Sequence, residues 1–181
     1  MPGRGLNTAK ACLRRAAIGL AAGLMLQGAA VAQQQGPDTL SETYSSWTVR
    51  CQSAGDAGRQ CTMTQVLQRQ EGGERLLLVE FAVGDEDQTV MALLTPFGLR
   101  VTDGATLQTD EDEPRQIDFF TCLPNGCIVR QTLGEPELAA LRRGNMLTTR
   151  FVVAQGGEPF ELQVSLEGFS AAYRRLRELS T

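Results

Sequence analysis

The sequence predicts an all-β fold of two packed antiparallel sheets, with one short helix and a second helix at the C-terminus. From Trp47 onward, short apolar runs are separated by turn residues, which is typical of successive strands. The clearest strand has four apolar residues alternating with polar ones: Phe160, Leu162, Val164 and Leu166. This period of two predicts one buried face. Other candidate strands are apolar on both faces, and a second sheet packed on the first would bury them.

The N-terminus has the composition of a secretory signal peptide. Four basic residues, Arg4, Lys10, Arg14 and Arg15, precede an apolar run over residues 16–26, and small residues at 30–32 offer a cleavage site before Gln33. The apolar run is about half as long as the roughly 20 residues of a membrane-spanning helix. We therefore expect a signal peptide over residues 1–32, no transmembrane anchor, and a mature chain that is periplasmic or secreted.

The mature chain is acidic and lacks the usual catalytic bases. Removing residues 1–32 leaves 13 basic residues against 21 acidic ones, a net charge of −8. This charge disfavours nucleic acid as a partner. The sequence has no histidine, and Lys10, within the signal, is its one lysine. We interpret residues 33–45 as a flexible N-terminal arm and residues 46–181 as a single domain.

Several segments are predicted to form strands besides residues 160–166. They are Arg75–Val83, Thr89–Leu94, Gln116–Thr121 and Met146–Val153. A strand beginning at Trp47 would carry Val49 and Cys51 on the same face as the tryptophan. On the following strand, Cys61, Met63 and Gln65 would share one face. The intervening residues 52–60 are rich in glycine and small polar residues, which predicts a hairpin.

Two helices are predicted as additions to the sheets. The first has acidic residues and a proline at its start and basic residues and a glycine at its end: Glu135, Pro136 and Glu137, then Arg142, Arg143 and Gly144. The second has an apolar face made of Phe169, Ala172, Tyr173, Leu176 and Leu179. Its arginines, Arg174, Arg175 and Arg177, are interpreted as a solvated face, with contact to an acidic partner as the alternative.

Four cysteines remain after the signal is removed: Cys51, Cys61, Cys122 and Cys127. An even number in an exported chain predicts disulfides, and four cysteines allow three connectivities. Local pairing is favoured because Cys51 and Cys61 flank the predicted hairpin. Cys122 and Cys127 enclose Leu123-Pro124-Asn125-Gly126, which has the composition of a tight turn. Neither spacing is that of a redox or zinc motif.

Several short motifs resemble those of the bacterial invasion-associated locus B family. In chain order they are Trp47-x-Val49-x-Cys51, Cys61-x-Met63-x-Gln65, Pro96-x-Gly98, Cys122-x-Pro124-x-Gly126-Cys127 and Val164-Ser165-Leu166-x-Gly168-Phe169-x-x-Ala172. The resemblance spans residues 46–176. It implies an exported immunoglobulin-like β-sandwich, with some members linked to host-cell entry. The matching positions are structural, namely paired cysteines, a core tryptophan and turn glycines, and no catalytic residue is implied.

An enzyme and a calcium-binding protein are the other classes of function that the composition bears on. Without histidine, a Ser-His-Asp or Cys-His arrangement is excluded, and an enzyme would need paired carboxylates. The acidic runs at residues 84–87 and 110–113 carry hard oxygen ligands, but they lack the spacing of the helix-loop-helix calcium motif. Both runs are interpreted as solvated loops. We predict no catalytic, cofactor or metal site.

The sequence as a whole favours a non-enzymatic interaction protein. Its expected partner is an unidentified protein of the envelope or of a host cell. The alternative is a periplasmic protein that binds a small ligand or calcium, and a carboxylate-based hydrolase is the third interpretation.

Overall fold

The computed structural model describes residues 39–55 and 58–180. The predicted signal peptide and the first part of the predicted arm, residues 33–38, lie outside the described residues. The strands are β1 (Thr39–Tyr44), β2 (Trp47–Ser53), β3 (Arg59–Gln68), β4 (Arg75–Val83), β5 (Thr89–Thr95), β6 (Ala105–Thr109), β7 (Arg115–Ile117), β8 (Phe119–Leu123), β9 (Gly126–Leu133), β10 (Met146–Val152) and β11 (Pro159–Ser165). The helices are α1 (Glu135–Arg143) and α2 (Phe169–Leu179), with 3-10 turns at Asp85–Asp87 and Val101–Asp103.

The strands form two antiparallel sheets. The first has seven strands in the order β1-β2-β3-β4-β5-β9-β8, and the second has four in the order β11-β10-β6-β7. Consecutive strands of the first sheet are mostly neighbours, as expected when short turns join them. Together with the two helices, these sheets confirm the predicted all-β sandwich.

The core lies between one face of the first sheet and the elements that cover it. We call this face the inner face. On β2, Trp47 and Val49 are fully buried, and on β4, Val79 and Phe81 are too. Residues between them point the other way and are partly exposed. This alternation is the period of two that the sequence shows.

Helix α2 covers the inner face near the first strands. The rings of Trp47, Phe81 and Phe169 meet edge to face, with centroids 5.1 to 5.5 Å apart. The indole Nε1 of Trp47 donates a hydrogen bond to the carbonyl oxygen of Ser165 over 3.0 Å. The predicted apolar face of α2 is confirmed, since Phe169, Ala172, Tyr173 and Leu176 are all buried.

Helix α1 has the predicted boundaries. The backbone N–H of Gly134 donates to Oε2 of Glu137 over 3.0 Å, and this satisfies a free donor at the helix start. At the other end, the N–H of Gly144 bonds to the carbonyl oxygen of Ala140 over 2.9 Å. Leu138 and Leu141 are buried, and they attach the helix to the sandwich.

One predicted strand is in fact two. The segment from Gln116 to Thr121 breaks at Asp118, so that β7 pairs with β6 in the second sheet while β8 pairs with β9 in the first. The break lets the chain cross between the two sheets. Phe119 then turns into the core and contacts Phe151 of the second sheet, with ring centroids 6.3 Å apart.

The prediction of a flexible arm at residues 33–45 is wrong for its described part. Residues 39–44 form β1, which pairs antiparallel with β2 from Thr39 opposite Gln52 to Tyr44 opposite Trp47. The segment is polar because it is an edge strand with one face in solvent. Its other face carries Leu40, Glu42 and Tyr44, which are partly buried. The domain therefore extends to Thr39 rather than beginning at residue 46.

An ion pair joins this edge strand to α2. The guanidinium of Arg175 donates to both carboxylate oxygens of Glu42, over 2.8 and 2.9 Å, and the hydroxyl of Tyr44 donates to the same carboxylate over 2.8 Å. The hydrogen bonds from Arg175 and from Tyr44 lower the pKa of Glu42 to about 2. Bidentate pairing of this kind fixes geometry as well as charge.

Because of this ion pair, we expect part of the free energy of unfolding to depend on pH in the acid range. The pKa of Glu42 falls from 4.5 to about 2 on folding, so its contribution is present above pH 4.5 and is lost as the pH drops toward 2. E42Q should be less stable than the wild type at neutral pH, and the difference should shrink to nothing near pH 2. Urea unfolding at several pH values measures it. E74Q, at the exposed pair with Arg69, is the control and should show no such trend; a constant E42Q deficit would contradict the assignment.

Candidate functional site

The first disulfide joins Cys51 of β2 to Cys61 of β3. These residues are direct cross-strand partners with a Cα–Cα distance of 4.0 Å. Both side chains are buried in the core. Closing a ring of this size contributes about 2.7 kcal/mol by the loop-entropy relation. The bond therefore acts on stability, in a place that no partner reaches.

The second disulfide closes the β8–β9 hairpin. Cys122 and Cys127 are paired across the turn, with a Cα–Cα distance of 3.9 Å. The turn lies against neighbouring strands, since a guanidinium nitrogen of Arg75 donates to the carbonyl oxygen of Asn125 over 2.8 Å. Gly126 has φ 141°, and a Cβ there would lie 2.1 Å from the carbonyl oxygen of Thr95. The disulfide, the hydrogen bond from Arg75 and the close approach of Gly126 to Thr95 together hold the hairpin in place.

Exposed hydrophobic side chains lie in this hairpin and in the segment that follows β5, whose last residue, Thr95, pairs with Cys127. Within residues 39–55 and 58–180, five large hydrophobic side chains are exposed, and four of them belong to residues 97–101 and 120–123. They are Phe97 (61% exposed), Val101 (43%), Phe120 (65%) and Leu123 (45%). We call these four residues the hairpin rim. Clustered exposed apolar groups are typical of interaction sites, whereas single ones are ordinary surface.

The rim is held in place by the structure beneath it. Val101 and Phe120 line one shallow depression with Cys122. The guanidinium carbon of Arg130 lies 5.8 Å from the centroid of the Phe120 ring, as in a cation–π contact. Because the second disulfide fixes the hairpin, the backbone that carries Phe120 and Leu123 has little conformational freedom to lose on binding.

Sequence reasoning singled out the cysteines but missed the hairpin rim. One signal was available in the adjacent pair Phe119 and Phe120. Successive residues of a strand point to opposite faces, so one of two neighbouring phenylalanines must face away from the core. Phe97 lies in a bend after β5, and Leu123 is the last residue of β8, where it is 45% exposed.

The acidic runs hold loops together. Both carboxylate oxygens of Asp110 accept hydrogen bonds from the backbone N–H groups of Asn145 and Met146, at 2.9 to 3.2 Å. Asp112 lies 3.5 Å from a guanidinium nitrogen of Arg143. Among the residues that the structure describes, no three His, Cys, Asp or Glu side chains are grouped to hold a metal ion. The run at 110–113 is therefore a braced loop rather than a freely solvated one.

Two of the three arginines on α2 also have partners within the chain. Arg175 binds Glu42, and Arg177 donates to the backbone carbonyl of Asp87 over 2.8 Å. The side chains of Arg177 and Asp87 are 3.7 Å apart. The interpretation of these arginines as a solvated face is therefore replaced for two of them by contacts that dock α2.

A cavity of about 300 Å³ lies between α1 and the two sheets. Its apolar lining comes from Met91, Leu107, Leu133, Leu141 and Leu147. The charged groups at its mouth face each other, with Arg115 and Glu137 at 2.9 Å. A ligand would have to compete with this pair. This cavity is where a small ligand would bind under the alternative interpretation of the sequence.

The chain is similar to invasion proteins of known sequence and structure. Residues 47–177 match the family model described as invasion associated locus B (IalB) protein. An invasion protein B homolog of Brucella abortus is 34% identical over 145 residues, which cover 80% of this chain and 83% of the relative. Invasion protein B of Bartonella bacilliformis is 36% identical over 150 residues, covering 80% and 78%.

A solved structure shows the same fold. The crystal structure of invasion associated protein B from Bartonella henselae matches with a TM-score of 0.71 and 30% sequence identity, covering 77% of this chain and 96% of that one. Within the described residues, neither helix is long and apolar enough to cross a membrane. The family match over most of the chain and the shared fold agree with each other. This chain therefore belongs to the invasion associated locus B family.

Proposed function

We propose that this chain is an exported, non-enzymatic interaction protein that presents the hairpin rim to a protein of the bacterial envelope or of a host cell. The observation that carries the proposal is the exposure of two aromatic rings, Phe97 and Phe120, beside a disulfide-closed hairpin. Aromatic side chains dominate the binding energy of many interfaces. Membership of the invasion-associated family supports a role in contacts between macromolecules.

The chemistry of the rim defines its partner. Four apolar side chains need an apolar recess, and Arg130 and Arg75 beside them would meet acidic or carbonyl groups at its border. The mature chain has a net charge of −8, which disfavours strongly acidic surfaces over long range. The partner is therefore a protein surface with an apolar pocket and few negative charges.

Two features support export of the chain to the envelope or the medium. The N-terminal sequence has the composition of a signal peptide, and disulfides form outside the cytoplasm. Mass spectrometry of the chain recovered from the envelope or the medium is expected to show an N-terminus at Gln33 and four cysteines protected from alkylation. A chain retaining residues 1–32, or with alkylatable thiols, would contradict export.

Affinity capture tests the proposed function. The mature chain should recover a cross-linked partner from envelope or host-membrane extracts, and F120A combined with L123A should lower recovery at least about tenfold. The double variant should unfold at nearly the wild-type urea concentration, because both side chains are largely exposed. V66A, at an exposed hydrophobic residue outside the rim, is the matched control. Undiminished recovery by the double variant would exclude the rim.

The alternative function is binding of a small ligand in the cavity beside α1. This would raise the melting temperature in the presence of the ligand, equally in the wild type and in the rim variant. Loss of partner capture without any such rise would distinguish the two.

A further inference from the structure

The face of the seven-stranded sheet opposite the core is apolar at its centre. We call it the outer face. Its central side chains are Leu78 and Ala82 on β4, Val90, Ala92 and Leu94 on β5, and Ile128 on β9, all partly exposed. They are separate from the buried cluster and from the side chains packed against it. An antiparallel sheet of a monomer normally has polar residues on its solvent face. This face therefore has the composition of a second packing surface.

The strand register arranges the outer face in rows. On the inner face, Val79 pairs with Leu93, and Leu93 pairs with Val129. The neighbouring residues along each strand point to the outer face. They form a row across β4, β5 and β9 that consists of Leu78, Leu94 and Ile128. The next row is Glu80, Ala92 and Arg130 in the same strand order. Strand β5 is the middle of each row.

This pattern is complementary to itself under a two-fold rotation. An axis that runs along β5, in the plane of contact, places β4 of one copy over β9 of the other. Leu78 then faces Ile128 of the second copy, and Leu94 faces its own equivalent. Two-fold interfaces require this kind of self-complementarity, and sheets that pack face to face keep their strands nearly aligned.

The charges on the outer face also favour the two-fold axis along β5. The rotation along β5 brings Glu80 over the second copy's equivalent of Arg130, and Arg130 over the equivalent of Glu80. A rotation about an axis across the strands would instead bring like charges together, which is unfavourable. Burial raises the pKa of Glu80, so this carboxylate lacks compensation in the single chain. The guanidinium of Arg130 stacks on Phe120, which leaves N–H groups at its edge free to bind a carboxylate.

The chain's own N-terminal segment is a poor cover for this face. After cleavage at the predicted site, the residues before β1 read Gln-Gln-Gln-Gly-Pro-Asp over 33–38 and contain no large apolar side chain. Strand β1, which follows them in the sequence, is the edge strand, four strands from β5. A second copy offers apolar side chains and opposite charges at matching positions.

We infer that the outer face is the interface of a homodimer, in which Glu80 and Arg130 of one copy bind Arg130 and Glu80 of the other around an apolar centre at Leu94. The inference goes beyond the proposed function, because its apolar centre lies on β4, β5 and β9; the two surfaces share Arg130, which contacts Phe120 of the hairpin rim. The patch covers three strands and five residues along each of them, roughly 14 Å by 17 Å from strand spacings, which is less than the about 800 Å² per partner of a standard interface. We therefore expect a weak dimer, whose association is best measured at rising concentration.

Charge reversal with complementation tests the dimer. Sedimentation velocity of the mature wild-type chain at rising concentration should show a monomer–dimer equilibrium. E80R alone and R130E alone should each weaken dimerisation at least about tenfold, because each faces like charge with like charge. An equimolar mixture of the two variants should restore association, since the E80R copy then meets the R130E copy with opposite charges throughout. Restoration also shows that both variants are folded.

A control variant and clear contrary outcomes complete the test. R50E reverses a charge on the outer face of β2, outside the strands that meet in the dimer, and should leave the equilibrium unchanged. A wild-type chain that stays monomeric at several hundred micromolar overturns the inference and leaves the face to another occupant. A dimer that both single variants form as well as the wild type, or a mixture that does not associate, overturns it equally.

Discussion

Replacing Phe169 with alanine is expected to lower the free energy of unfolding by about 3–5 kcal/mol, which is typical when a buried aromatic ring is truncated. The ring is fully buried and contacts Trp47 and Phe81 edge to face, at centroid distances of 5.3 and 5.1 Å. It also stacks on Tyr173 within α2. The truncation removes these contacts together and leaves a cavity where the helix meets the sheet.

Urea unfolding followed by the fluorescence of Trp47, the one tryptophan in the chain, measures the loss directly. F120A is the matched control, because it makes the same chemical change at a ring that is 65% exposed. It should change the free energy of unfolding by less than about 0.5 kcal/mol. Similar losses in the two variants would mean that α2 contributes little to the core.

The elements that the sequence predicted best are those in which burial follows a simple period. The hairpin of β2 and β3 was predicted from alternation along the two strands and from the glycine-rich segment between them, and its register places Cys51 opposite Cys61. The apolar face of α2 follows the helical period from Phe169 to Leu176. In both cases one face is in the core and the other in solvent, so the pattern of residue types carries the geometry.

The sequence predicted less where burial depends on distant parts of the chain. Strand β1 is polar, and its position is fixed by pairing with β2 and by the ion pair between Glu42 and Arg175, which lie 133 residues apart. The break at Asp118 depends on which sheet each half joins. Neither contact leaves a local pattern, because the partner lies far away in the sequence.

One part of the candidate site was predicted from the sequence, and another part was not. The turn composition between Cys122 and Cys127 predicted a local bridge, and the structure has it. The hairpin rim was not predicted, because phenylalanine and leucine are also the residue types of the core. Only the surrounding fold leaves Phe97 and Leu123 exposed. Exposure of an apolar residue is a property of the whole surface, so sequence alone does not identify it.

Replacing Gly168 with alanine is expected to lower the free energy of unfolding by about 2–5 kcal/mol. Gly168 precedes α2 with φ 84°, a conformation that costs an L-residue about 1–2 kcal/mol. A Cβ there would also lie 2.2 Å from the carbonyl oxygen of Tyr44. That oxygen is a backbone atom at the end of β1, next to the β1–β2 turn, and it cannot move aside as a side chain would. Relieving the overlap would add about 1–3 kcal/mol.

Gly72 separates the two causes. It has a similar φ of 86°, but a Cβ there would have nothing within 4 Å. G72A should therefore cost only the conformational part, about 1 kcal/mol, as measured by urea unfolding of both variants. The excess in G168A would report the close approach of α2 to the β1–β2 turn, and equal losses would mean that this approach is loose. Since Phe169 is the next residue, a displaced Gly168 would also loosen the ring cluster around Trp47, and the fluorescence of the folded G168A chain should shift accordingly.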